Sequence, residues 1–139
     1  MIRIVRVVGP YTAPTDDVIY LGRTALERIG ASNTQTYPLH FYSAKMSEVH
    51  SNYFWCDKEK PDAKFIMEHG KYVKPEYAFL QAIKEDGDEQ PIFETLEYYF
   101  TFKKEFPEIV RKLNKEIKIV NDLALEYYLD FWGISEHHD

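Results

Sequence analysis

Three prolines divide the second half of the chain. Pro75, Pro91 and Pro107 stand sixteen residues apart. Proline has no N–H to give a helix interior, but its fixed φ suits the first helical turn, where that N–H would be unpaired anyway. Each proline therefore marks a helix start. The first helix is expected over about 75–86, ending at Asp86-Gly87. The second carries Ile92, Phe93, Leu96, Tyr99, Phe100 and Phe106. The third is expected to run from Pro107 to about Trp132. Its apolar stripe is Ile109, Leu113, Ile117, Val120, Ala124, Tyr127 and Phe131, with Arg111, Lys112, Lys115 and Lys118 on the wet side. At 1.5 Å per residue it would reach roughly 39 Å, whereas a domain of this size has a radius of gyration of ~14 Å. Part of it is expected to project.

The first half reads as strands around one helix. IRIVRVV, residues 2–8, is short and β-branched and predicts a strand. After the loop GPYTAPT, Val18, Leu21, Ala25 and Ile29 recur at helical spacing and predict a helix over about 16–29. Thr15 is its expected N-cap, Asp16 and Asp17 suit the positive end of its dipole, and Gly30 supplies the stop. Residues 36–42 alternate apolar and polar as a half-buried strand, and Pro38 assigns it to a sheet edge. NYFWC (52–56) and AKFIM (63–67) are expected to pair as a hairpin around the polar turn DKEKPD. SAKMSEVHS (43–51), which links the strand at 36–42 to NYFWC, reads as a loop or short helix. The whole predicts one α+β domain over 1–139, strand-rich over 1–72 and helical over 73–139. Its small, mostly antiparallel sheet of about four strands precedes three helices, the last long and amphipathic.

Charge and cysteine usage narrow the partners. With 23 acidic against 17 basic residues the net charge is −6, which disfavours binding to nucleic-acid phosphates. A single cysteine, Cys56, rules out an internal disulfide and suits a reducing, cytoplasmic compartment. No apolar run approaches the ~20 residues of a membrane span, so no membrane insertion is expected.

The stretch VVGPYTAPTDD has the outline of a nucleotide-binding turn without its chemistry. Gly9 stands alone until Gly22, so neither a P-loop nor a dinucleotide-binding fingerprint exists. Asp16 and Asp17 would repel a phosphate at the expected helix start. Tyr11 remains as the one side chain there free to touch a ligand. His40, His50, Cys56, His69 and His137-His138 lack the close ligand pairing of a zinc site, so no metal and no cofactor are expected. Cys56, beside Trp55 in an apolar run, reads as a small buried hydrophobe.

The strand followed by GPY, and the segment DAKFIMEHG with Asp62, Glu68 and Gly70, resemble the nucleoside 2-deoxyribosyltransferase-like proteins over about a dozen positions. That family uses an Asp-x5-Glu-x-Gly segment bearing its nucleophile and substrate contacts. The resemblance implies a nucleoside- or nucleotide-handling enzyme with Asp62 and Glu68 as its carboxylates.

Aromatic residues are the compositional outlier at 16%. EYYLDFWG places four rings in six residues near the end of the last expected helix. If Tyr127 and Phe131 face the core, Tyr128 and Trp132 lie on its shoulder, and Tyr98 stands likewise beside Tyr99. Interface hot spots favour Tyr and Trp. With no catalytic motif beyond the resemblance, the favoured expectation is a non-enzymatic interaction or assembly module. It would be a subunit of a homo-oligomer or larger complex and use Tyr98, Tyr128 and Trp132. A small-ligand binding protein using the aromatic sheet face around Tyr37, Phe54 and Trp55 is the remaining alternative.

Overall fold

The structure, a computed structural model, describes residues 12–85 and 87–137, the last five as helix backbone only. The expected strand at 2–8 and Tyr11 lie outside the described residues. Among the described residues four short strands form one mixed sheet: β1 (Ile19–Tyr20), β2 (Leu39–Tyr42), β3 (Val49–His50) and β4 (Phe54–Asp57), in the order β1-β2-β4-β3. The β1–β2 and β3–β4 pairs are antiparallel and β2–β4 is parallel. Helices α1 (Gly22–Ile29), α2 (Pro75–Lys84), α3 (Gln90–Glu94), α4 (Phe100–Phe102), α5 (Phe106–Ile117) and α6 (Asp122–His137) complete an α+β fold. A π-helical turn, Thr95–Tyr99, joins α3 to α4. Among the described residues no helix is long and apolar enough to cross a membrane.

The proline rule holds at all three positions: Pro75, Pro91 and Pro107 each occupy the first turn of α2, α3 and α5. Gly30 closes α1 with φ 92°, its N–H reaching back to the carbonyls of Glu27 and Leu26.

Other boundaries move where tertiary partners outbid local preference. Helix α1 begins at Gly22, with Leu21 rather than Thr15 at its N-cap. Ile19 and Tyr20 pair instead with Tyr42 and Phe41 of β2. Asp17 accepts hydrogen bonds from Thr15 Oγ1 (2.9 Å), Ser43 Oγ (2.6 Å) and Ala44 N (3.0 Å), so it ties the loop to the end of β2. Strand β2 is interior, not an edge. Pro38 precedes its first residue, so the missing N–H falls outside the ladder. Residues Ala63–Phe65 form a 3-10 turn, not a strand, because the Asp62 side chain accepts from Lys64 N (3.3 Å) and caps it.

The expected helix over 107–132 is two helices. Lys118 adopts φ 50° and ends α5, and α6 restarts at Asp122. Asn114 is buried and holds this corner: its Nδ2 donates to Val120 O (2.8 Å) and to Asp122 Oδ1 (3.2 Å), and its Oδ1 accepts from Val120 N (3.1 Å). With twelve and sixteen residues, the two pieces need no projection beyond the domain.

The main core, including Leu21, Leu26, Phe79, Phe100, Val110 and Leu125, lies among the helices and one face of the sheet. Leu39, Phe41 and Cys56 form a smaller cluster with Ala13 on the opposite sheet face, as strand alternation requires.

Candidate functional site

Strand register builds a three-ring stack. His40 of β2 is the cross-strand partner of Trp55 in β4, and Trp55 is the partner of His50 in β3. The His40 ring lies 3.7 Å from the Trp55 ring at 8°, and His50 covers the other face at 4.8 Å and 9°. Both faces of the indole are therefore occupied, and only its edge is left to meet a ligand.

Behind the stack, His40 is buried between two carboxylates. Its Nδ1 bonds Glu85 Oε2 at short range, and its Nε2 lies 3.1 Å from Asp57 Oδ2. Burial by itself pushes the imidazolium towards losing its proton. The hydrogen bonds and charges of Asp57 and Glu85 outweigh that effect and raise the pKa above the ordinary histidine value. Glu85, just past the end of α2, also accepts from Arg23 Nη1 (2.8 Å) and Arg23 N (3.2 Å), while Gln81 Oε1 accepts from Gly22 N (2.9 Å). Helix α1 has no side-chain cap of its own, so α2 supplies one, with a carboxylate at the positive end of the α1 dipole. Arg23 completes the lock by donating to Asp88 O (2.6 Å) and Glu85 O (3.1 Å). Two cations thus face two carboxylates.

Clefts lie on both sides of this cluster. One, of about 340 Å³, is bounded by Gln35, Tyr37, His50, Trp55 and Asp88 with Arg23 at its base. The other, of about 370 Å³, is bounded by Asp57, Tyr77, Gln81 and Lys84. With both ring nitrogens bonded to carboxylates, His40 is positioned as a fixed imidazolium and not as a free general base. It anchors Asp57 by one oxygen, and the Asp57 side chain remains one-third exposed, on the second cleft.

The structure brings Tyr37 and Trp55 to one cleft but turns Phe54 to the other sheet face, against Phe41. Asp62 and Glu68 are both exposed. Asp62 borders a third cleft of about 530 Å³ with Asp57 and Tyr77, whereas Glu68 borders none of the three. Cys56 is buried on the face away from His40, and burial pushes its thiol pKa up. The sequence reading missed the His40–Glu85–Arg23 cluster. Its parts lie up to 62 residues apart, and the one local trace was a glycine where α1 begins.

No protein-family model, curated protein or solved structure matches the chain. The resemblance to the deoxyribosyltransferase-like proteins thus stands on its dozen positions. The Asp62–Gly70 segment, a 3-10 turn and loop, differs from the helix that family places there.

The second candidate site is the outer face of α6. Leu125 and Leu129 are buried, and Tyr128 and Trp132 pack beside them against Phe93 and Phe100. Burial, then the hydrogen bond from its hydroxyl to Glu89, pushes the Tyr128 pKa up to about 12. The large apolar residues of α6 that face water are Leu123 (82% exposed), Tyr127 (55%) and Phe131 (41%), the last also meeting Phe93 edge to face at 5.1 Å. This reverses the arrangement expected if Tyr127 and Phe131 continued the core stripe of residues 109–120. The break at Lys118 resets the helical phase, so α6 turns a different side to the core. Tyr98, in the π-helical turn, is 38% exposed.

Proposed function

We propose that this chain is a non-enzymatic interaction or assembly module, a subunit of a homo-oligomer or larger complex. The observation that carries this reading is the row Leu123, Tyr127 and Phe131, exposed at consecutive turns of α6. Tyr127 and Phe131 also contact each other edge to face at 5.1 Å, which gives the row a defined shape. A contiguous apolar strip left in water marks a binding surface more often than isolated exposed rings do. The net charge of −6 supports a protein partner over nucleic acid. One buried thiol, Cys56, accords with a reducing, cytoplasmic setting. Because Tyr127 and Phe131 are exposed, with Phe131 touching, among the described core-side rings, only the partly buried Phe93, a Tyr127→Ser/Phe131→Ser variant is expected to keep its fold by circular dichroism and to lose association in sedimentation or in capture from the native source. Association unchanged in that variant would sink the reading.

A second reading rests on a separate observation: Tyr37 and Trp55 border one cleft above a buried, charge-balanced cluster. It is a binding site for a small polar ligand. A thermal-shift screen with nucleosides and other polar metabolites tests it, since a ligand that binds the folded chain raises its melting temperature. The gain is expected to vanish in Tyr37→Ala. A hit that survives this substitution would place the ligand elsewhere.

A further inference from the structure

The outer face of α6 also specifies the chemistry of its partner, and the argument rests on the interaction reading above. The apolar row Leu123–Tyr127–Phe131 repeats every four residues, so it follows one side of the helix over about 12 Å. Asp122, Glu126 and Asp130 repeat with the same spacing one residue earlier, and form a carboxylate row about 100° round the helix. From Asp122 to Trp132 the helix carries no Lys or Arg. Glu126 is engaged by Arg111 (Nε to Oε2, 2.7 Å), and Arg111 also bonds Glu108, so the nearest guanidinium is already shared between two acids. Asp130 is exposed with no ion pair among the described residues. On the far edge of the row, Tyr128 leads to another acid, Glu89. The apolar strip is thus bordered on one side by the Asp122–Glu126–Asp130 row, in which Glu126 is paired with Arg111 and Asp130 carries the unpaired charge, and on the other by Glu89 beyond Tyr128.

We infer that this face docks a basic amphipathic helix of a protein partner, with apolar residues at i, i+4 and i+7 or i+8 and Lys or Arg along its flanks. Two copies of α6 laid face to face would oppose like charges, which disfavours the same face as its own partner. An anionic lipid surface is disfavoured on the same ground. A helix with flanking cations satisfies both rows at once, since apolar anchors enter the strip and the charges set register and orientation.

The probe is a synthetic, fluorescein-labelled Leu/Lys amphipathic helix, titrated against the full chain and read by anisotropy. Three controls accompany it: the Leu/Glu counterpart, a scrambled Leu/Lys peptide and phosphatidylcholine vesicles. The Leu/Lys helix is expected to bind, with affinity falling as salt rises, and the Leu/Glu helix to bind at least about tenfold more weakly. Tyr127→Ser/Phe131→Ser is expected to abolish binding. Asp130→Lys, at an exposed site, should keep the fold and flatten the salt dependence. Equal binding of the two charge types, binding indifferent to Tyr127→Ser/Phe131→Ser, or binding of vesicles in place of peptide overturns the inference. Sedimentation of the same samples separates the two levels. A chain that self-associates through Tyr127 and Phe131 but ignores the Leu/Lys probe overturns the partner chemistry and keeps the interaction reading. A chain that neither self-associates nor binds the probe overturns the partner chemistry, and it removes the interaction reading as well when capture from the native source shows no association that depends on Tyr127 and Phe131.

Discussion

Glu85 occupies the space that a side chain on Gly22 would need. A Cβ built on Gly22 would lie 1.7 Å from Glu85 Oε2, and Gly22 itself holds φ +50°. The contact joins the start of α1 to the residue that follows α2, and so brings together Arg23 and Glu85, two members of the buried cluster. A glycine at this point lets a carboxylate replace the side-chain cap that α1 lacks.

Gly22→Ala is expected to cost about 4–7 kcal/mol of stability. A left-handed alanine costs roughly 1–2 kcal/mol, and displacing Glu85 disturbs a buried ion pair, whose disruption alone reaches 3–5 kcal/mol. Urea denaturation measures it. A loss of only about 1–2 kcal/mol, what the left-handed alanine alone costs, would show that Glu85 moves aside freely.

The pH dependence of stability follows from His40. Its pKa in the folded chain is raised above the ordinary value of 6.5. The imidazolium is thus bound more tightly by the folded state than by the unfolded one. Its contribution is fully present below about pH 6.5 and is lost as pH rises through the folded pKa. Urea midpoints measured from acid to alkaline pH should fall over that window in the wild type, and the fall should be absent from His40→Gln. Parallel profiles for the two proteins would contradict the assignment.

Lys118→Gly is expected to raise stability by about 0.5–1 kcal/mol. Lys118 is the one non-glycine residue with positive φ among the described residues, and glycine adopts that conformation without a Cβ penalty. Thermal denaturation checks the sign, and a lowered melting temperature would argue against a left-handed corner.

Asn114→Leu should cost about 3 kcal/mol. It leaves the buried N–H and C=O of Val120 without their side-chain partners, and each unsatisfied group costs roughly 1–3 kcal/mol. Because Asn114 also sets where α6 restarts, the variant should additionally change protection of the α6 amides in hydrogen exchange. Protection unchanged in α6 would confine its role to α5.

Local chemistry sufficed for several features. The three prolines determined where α2, α3 and α5 begin, because a missing N–H is tolerated only in the first turn. Gly30 determined where α1 stops, and the apolar run around Trp55 placed β4. These are effects within a few residues, so they are legible in the sequence. The start of α1, the interior place of β2, the corner at Lys118 and the outward turn of Tyr127 and Phe131 were decided by tertiary structure. Each depends on partners distant in the chain or on a phase reset that periodicity does not register: β2 claims Ile19 and Tyr20, Asn114 claims the corner, and Leu125 and Leu129 take the core side of α6. The His40 cluster is the extreme case. Four charged side chains, from residues 23, 40, 57 and 85, meet only after the sheet and two helices pack, so no spacing along the chain could have announced it.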